Sequence, residues 1–476
     1  MDTITDFILN PRVSVFSQEG RNYLFDPVSR TYASINDTLL SFITKPDNAD
    51  LFNQLSGKDQ QDVRDVTKRL CQLGIFIQPE FAGRSDLYDH SGHSYSMTHL
   101  TLFVTTKCNL RCAYCYANGG DREKTITPEI WQPAMDYFFA TIGSGMVNGE
   151  TGSRHVSLSI HGGGEPTMEF VLLKEIVSAF YERANAMGLQ PSVGMGTNGT
   201  YNDSVHRWII ENNISVNISL DGPGNIQNRL RPFRSGKPSF DIVTHNLSEL
   251  VKAGRRVSIR ATITDEAVDT MTDTMQLAKQ LGLAAVHFEP VSQTGRGETN
   301  TVARPDPEKF VQNFLHCFLL GLQLNIDVYY SGMRCFEHCH QRFCGACGRN
   351  LCITPDGNIT TCYEVLDSND PAAKEFFVGK IDSARGLMML DQDRIEQLNQ
   401  RVTKNMVACK ACFLRYQCAG DCPAKSFRHL NRDLYSPDPY RCRISERINK
   451  QLIIWLADGI IEPREVKKTS VFSLYN

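Results

Sequence analysis

Six short β-rich runs, separated by amphipathic stretches, occupy residues 99 to about 291, and no other feature narrows the fold as much. The runs are HLTLFVTT, VSLSI, PSVGM, ISVNISL, VSIRATIT and AVHFEPV. Between them lie PEIWQPAMDYFFATI, VLLKEIVSAFYERANAM, SFDIVTHNLSELVKAG and DTMTDTMQLAKQLG. Strands joined through helices pair in parallel, because each helix carries the chain back along the sheet before the next strand starts. The pattern therefore predicts an α/β fold, a parallel sheet with helices outside, and six units are enough for a partial (β/α)6 barrel. In such barrels the chemistry gathers at the carboxyl ends of the strands. Cys108–Cys115, Gly162–Pro166, Thr197, Asn198 and Asp221 all fall there.

The flanks read differently. Before the barrel, SVFSQEGRNYLFDPVSRTYASI predicts a β-hairpin turning at Asp26-Pro27. Helical stretches follow near Asp37–Ile43 and Asp59–Leu73, then the linker-like FAGRSDLYDHSGHSYS. After about Arg334 regularity fades and cysteines take over, until SERINKQLIIWLADG closes the chain as a helix. The expected divisions are 1–85, a linker 86–98, the barrel 99–295, a bridging region 296–333, a cysteine-rich unit 334–450, and a C-terminal helix and tail 451–476.

Sixteen cysteines in 476 residues need a chemical reason. The net charge of −3 offers no bulk attraction to nucleic acid or membrane. No apolar run approaches the roughly 20 residues of a membrane helix, and MDTITDFILN lacks the order of a signal peptide. The expectation is a cytoplasmic protein, where so many thiols point to metal or redox chemistry rather than disulfides. Cys71 and Cys317 stand apart in apolar helical surroundings as buried structural thiols.

Cys108, Cys112 and Cys115 form C-x3-C-x2-C with no fourth cysteine nearby. An iron–sulfur cube takes four cysteine ligands, so three thiolates leave one iron uncovered for a small molecule. A zinc site completed by His155 or His161 is the alternative. In HGGGEP, glycines allow close backbone approach and Glu165 can receive an ammonium group, although a plain glycine turn would look the same. In SLDGP, Ser219 and Asp221 could bind a ribose hydroxyl. Arg260 could pair with a ligand carboxylate or serve a structural ion pair. GMGTNG at Gly194–Gly199 fits a dinucleotide fingerprint, but Thr200-Tyr201-Asn202 separate it from the next helix, which that motif would open directly.

Over residues of about 99–295 this combination resembles the radical S-adenosylmethionine (SAM) family. The resemblance implies a [4Fe–4S] cluster on Cys108, Cys112 and Cys115, whose fourth iron chelates the amino and carboxylate groups of SAM. It puts Tyr114 near the adenine and Gly163, Gly164 and Glu165 at the amino group, with Asn198, Ser219 and Arg260 lining the rest. Downstream, CGACGRNLCITPDGNITTC and CKACFLRYQCAGDC, followed by Cys442, resemble the SPASM extension with two auxiliary [4Fe–4S] clusters. Gly357 and Cys362 supply its G-x4-C. By that likeness Cys409, Cys412, Cys418 and Cys442 hold an outer cluster. Cys347, Cys362 and Cys422 hold an inner one, with Cys344 the best fourth ligand and Cys335, Cys339 and Cys352 also near. By spacing alone, a pair of zinc ribbons is the alternative.

Residues 1–85 resemble the winged-helix-like recognition element of peptide maturases, which implies a precursor peptide bound through its leader; a structural cap is the alternative. The implied activity is thioether formation on a ribosomally made precursor, as in sactipeptide, ranthipeptide or quinohemoprotein amine dehydrogenase maturases. A flavodoxin or ferredoxin would donate electrons. Formylglycine formation of the sulfatase-maturase type would place Asp after the G-x4-C cysteine, where this chain has Tyr363. Carbon–carbon cross-linking, epimerisation and a non-enzymatic iron–sulfur carrier are further alternatives.

Overall fold

The computed structural model describes residues 7–44, 49–84, 98–143, 154–333, 336, 339–429 and 432–467. At the N-terminus, strand β1 (Ile8–Leu9) pairs across the unit with β5 (Phe76–Ile77). Strands β2 (Ser14–Gln18), β3 (Arg21–Asp26) and β4 (Thr31–Ile35) form an antiparallel three-stranded sheet. The expected turn after Asp26 is present: the buried Asp26 carboxylate accepts from Val28 N at 3.1 Å and Ser29 N at 3.2 Å. A second turn precedes it, at Glu19-Gly20, where both residues take positive φ (52° and 75°). That geometry matches the right-handed twist of the flanking strands, but Glu at its first position hides it from a turn search tuned to Asn-Gly. Helices span Asp37–Thr44, Ala49–Gln54 and Gly57–Gln72. The middle one has six residues, too short to show a helical period.

All six expected barrel strands form: β6 (His99–Phe103), β7 (His155–His161), β8 (Gln190–Thr197), β9 (Ser215–Ser219), β10 (Ser258–Ile263) and β11 (Ala285–Pro290). Each lies beside its sequence neighbour in parallel. The sheet then grows at both edges. β12 (Asp327–Tyr329), inside the expected bridging region, adds a seventh parallel strand beside β11. At the other edge β13 (Leu351–Ile353) pairs in parallel with β6, and β14 (Asn358–Thr360), β15 (Phe377–Asp382) and β16 (Leu387–Leu390) follow antiparallel. The cysteine-rich region thus continues the barrel sheet. Strands of three to six residues among cysteines leave no alternation to read. The C-terminal helix also starts earlier than expected, at Pro439, capped by Asp438 (Oδ1 to Tyr440 N, 3.0 Å), and runs to Ala457 across the expected division at 450/451.

Two faces of the barrel sheet have opposite chemistry. Outward, Ile259, Ala261, Ile263, Val286 and Phe288 are fully buried against the helices. On the inner face the β9–β10–β11 register aligns Ser219, Arg260 and His287. Parallel sheets covered on both sides are usually apolar on both; a polar inner face marks a lumen built for a ligand. The N-terminal sheet packs on the helix Pro439–Ala457, with Lys450 Nζ 4.9 Å above the Phe16 ring and Tyr23 Oη donating to Asp458 at 3.2 Å.

Candidate active site

The segment from Thr105 to Thr125 leaves β6 without entering a helix, and its neighbours shape it. Gly164 N donates to Thr105 O at 3.0 Å and Glu165 N to Lys107 O at 2.7 Å, stitching the glycine loop to the cysteine loop. A Cβ on Gly164 would stand 2.0 Å from Lys107 O, so this approach requires glycine. From the far side of the barrel, Arg296 N donates to Cys115 O and Arg296 Nε to Cys112 O, both at 3.0 Å. Three thiols are thereby fixed at the mouth of the lumen. Burial pushes Cys108 up to about 11 and Cys112 up to about 12, and each of these two thiols is raised further by Cys115 beside it. Thiols so placed need a metal centre to remain thiolates.

Glu165 is buried, and its carboxylate is aimed by four donors: Thr197 Oγ1 and Thr167 Oγ1 at 2.7 Å, Asn198 N at 2.7 Å and Thr167 N at 3.2 Å. Burial raises its pKa and these bonds oppose the rise. Asn198 Nδ2 bonds Asn109 Oδ1 at 2.8 Å and lies 4.0 Å from Cys108 Sγ, beside the cysteine loop. Gly163 borders Thr106 and Leu366. Ser219 and Arg260 face the lumen side by side, and the Arg260 charge reaches His161 and His287, adding to the burial that holds both near 4 and neutral.

Two expectations shift. Asp221 is wholly buried with both oxygens taken: Oδ1 by Thr262 N (3.0 Å), Oδ2 by Arg231 Nε (3.0 Å) and by the Tyr114 hydroxyl. It is engaged inside the wall rather than offered to a ribose. Tyr114 is correspondingly tied by its hydroxyl to that wall. As for zinc, His155 is exposed at the opposite end of β7, and His161 stacks on Tyr363 (centroids 5.0 Å apart, planes at 19°). The Gly194–Gly199 stretch ends strand β8, and the following helix is capped by Asn202 itself, so no phosphate cradle forms.

The lumen has room and unsatisfied polarity for a bound cofactor. A Cβ at Gly196 on β8 would meet no atom within 4 Å. Among the described residues, the buried Ser159 Oγ, His161 Nδ1 and Asn217 Oδ1 have no hydrogen-bond partner. Buried polar atoms are rarely left so, and a polar ligand in the lumen would satisfy them.

In the cysteine-rich region Cys418, Cys409 and Cys412 lie near enough to Cys442 to add to the burial that raises its thiol, although among the described residues no three such side chains stand at metal-ligand spacing. Cys362 and Cys422 face each other beside Glu364. The Cys344–Cys347 turn is tied to the Cys362 strand end by Thr361 Oγ1 donating to Ala346 O at 2.9 Å. Cys352 lies within β13 with its thiol at the Thr101 side chain, and Cys339 Sγ points to Pro27 O at 3.4 Å. Cys335 lies outside the described residues. Cys317 is fully buried and Cys71 half-buried in their helices. Tyr116, whose hydroxyl donates to Gly162 O at 3.1 Å, feels both Cys115 and Cys362. Tyr116 therefore lies near a cysteine of each field. Tyr116 and Arg231 escaped the sequence reading, and of the two only Tyr116 carried a signal, its place directly after Cys115.

Residues 102–278 match the Radical SAM superfamily. An uncharacterized protein of Methanocaldococcus jannaschii is 27% identical over 194 residues, 40% of this chain and 62% of that protein. The serine-type anaerobic sulfatase-maturating enzyme of Bacteroides thetaiotaomicron is 24% identical over 365 residues (68% of this chain, 82% of that one). The mycofactocin maturase of Mycolicibacterium smegmatis is 25% identical over 372 residues (71% and 81%). Among solved structures, anSMEcpe with bound AdoMet superposes with a TM-score of 0.62 at 18% identity, covering 79% of this chain and 99% of its own. Streptococcus suis SuiB bound to precursor peptide SuiA gives 0.52 at 15%, covering 91% and 99%. Residues 102–278 thus match a radical SAM domain, which implies SAM and a [4Fe–4S] cluster as cofactors, and most of the chain shares the fold of these neighbours. It is an enzyme, related to peptide maturases.

Proposed function

We propose that the protein modifies a ribosomally made precursor peptide, bound through its leader, by joining a cysteine sulfur to a carbon of another residue. The observation that carries the reading is the nearness of the two cysteine fields, with Tyr116 close to both Cys115 and Cys362. Thioether formation needs a radical source on one side of the substrate and an electron acceptor on the other. Cys108, Cys112 and Cys115 would hold the cluster, which with bound SAM would supply the radical chemistry that removes a hydrogen atom from the peptide. Glu165 would receive the SAM ammonium, and Arg260 with Ser219 its carboxylate. The closed wall around Asp221 keeps water from the reacting face. An inner auxiliary cluster on Cys347, Cys362 and Cys422, with Cys344 the best fourth ligand, and an outer one on Cys409, Cys412, Cys418 and Cys442 complete the electron path. An exogenous flavodoxin or ferredoxin is the fitting reductant.

The sulfatase-maturating relatives favour formylglycine formation as a second reading, against which stands Tyr363, stacked on His161 where that chemistry would want a carboxylate. Anaerobic preparations should hold about twelve irons per chain, falling by about four in a Cys108/Cys112/Cys115→Ala variant. A precursor co-expressed with the enzyme should lose about 2 Da per cross-link and resist thiol alkylation at the joined cysteine. An aldehyde trapped by a hydrazide, with no protected cysteine, would replace the thioether reading with formylglycine.

A further inference from the structure

The segment after the fourth barrel strand is zipped onto the cysteine loop. Ala113 N donates to Leu230 O and Arg111 N to Pro232 O, both at 2.8 Å, and Leu110 bridges Phe233. Three arginines crowd this stretch, and two go to the surface: Arg229 pairs with Glu266 and Arg234 with Glu123 in exposed ion pairs. Arg231 alone turns inward, 8% exposed, with Nη1 4.0 Å from Cys112 Sγ. Its Nε is held by Asp221 at 3.0 Å, and its guanidinium lies 5.2 Å over the Tyr114 ring. Asp221 is itself fixed: its N donates to Gln227 Oε1 (2.9 Å), Gln227 Nε2 to Ser239 Oγ (3.2 Å), and Ser239 Oγ to Arg231 O (2.7 Å). The chain of bonds closes on Arg231.

We propose that Arg231 is a positioning residue that sets the reduction potential of the cluster at Cys108, Cys112 and Cys115, with Asp221 fixing its aim and offsetting part of its charge. The inference rests on that cluster assignment. Reduction adds negative charge to a thiolate-ligated cluster, so a buried cation directed at a ligand sulfur favours the reduced form, and hydrogen bonds to sulfur act in the same direction. A wholly buried Arg–Asp pair is also weak evidence of stabilisation, since packed apolar residues often do as well. Its aim at the sulfur is what a stability role leaves unexplained.

The test is an EPR-monitored redox titration of the anaerobic full-length protein, following the signal that changes on SAM addition, with iron counted in each sample. Arg231→Gln should keep its iron and show a lower potential than wild type. Arg231→Lys should recover part of the difference. Asp221→Asn, which leaves the guanidinium less compensated, should raise the potential. Unchanged potentials in Arg231→Gln and Asp221→Asn with iron retained would overturn the proposal. Loss of the SAM-sensitive signal in both would overturn it too, by reducing the pair to a latch for the loop. Failure of the underlying assignment is read separately: a Cys108/Cys112/Cys115→Ala variant would then keep its iron and its SAM-sensitive signal.

Discussion

Gly163 and Gly164 are neighbours with different constraints. A methyl on Gly164 meets the carbonyl of Lys107 at 2.0 Å, and backbone cannot step aside without moving the cysteine loop. On Gly163 it meets Leu366 Cδ1 and Thr106 Cγ2 at 3.2 Å, side-chain atoms that can shift by tenths of an ångström. Gly164→Ala should therefore weaken SAM binding by tenfold or more, about 1.4 kcal/mol, and Gly163→Ala by much less; equilibrium dialysis of SAM compares them. His287 gives a residue-scale pH effect. Burial, then Arg260, lowers it from 6.5 to about 4, with Glu289 pulling the other way. Between those values the unfolded chain binds a proton that the native chain does not, so stability falls as pH drops through that window. His287→Gln should lose less melting temperature than wild type between pH 6.5 and 5. An equal loss would place the acid sensitivity elsewhere.

The C-terminal helix is the element that binds the barrel to the auxiliary cysteines. From its first turn Arg441 reaches Asp421 with Nε (3.1 and 2.9 Å), Glu289 at the end of β11 with Nη1 (2.7 Å), and Ser331 with Nη2 (2.8 Å). Lys425 Nζ joins at 3.3 Å from Glu289. Asp421 and Arg441 immediately precede Cys422 and Cys442, so one buried ion pair positions a cysteine of each proposed auxiliary set. Arg441→Met would leave Asp421 and Glu289 short of a cation inside the protein. We expect a loss of roughly 3–5 kcal/mol, seen as a lowered melting temperature together with reduced auxiliary iron. Full iron with normal melting would mean that the helix holds the cysteines by packing alone.

At the scale of the molecule, the N-terminal sheet rests on that same helix and reaches the cysteine-rich region, where Phe25 meets Phe336 edge-on (centroids 5.7 Å). It is built into the enzyme, yet among the described residues both of its outer strands, β2 and β4, pair with β3 alone. An open strand edge can take an added strand, with main-chain bonds giving the affinity. Removing residues 1–85 should weaken precursor binding far more than uncoupled SAM cleavage, with iron content confirming that the remainder is intact. Equal loss of both would make the domain a cap. Arg21 is a gentler probe of the seam: largely exposed, its pair with Asp458 is worth at most about 1 kcal/mol, so Arg21→Ala should leave melting nearly unchanged.

The sequence determined the parts whose chemistry is local. Thiol spacing is itself a ligand pattern, so the sequence could nominate Cys108, Cys112 and Cys115 and the outer set of Cys409, Cys412, Cys418 and Cys442. β6 to β11 were legible because five to eight residues rich in β-branched types leave a periodic trace. Only the tertiary structure decided the rest. It extended the sheet through β12 to β16, four of which have only three or four residues and so carry no pattern, and it turned Asp221 from a ligand candidate into an anchor. It also chose Arg231 from three neighbouring arginines. Composition is the same for all three, and which one is buried depends on the loop packed against it.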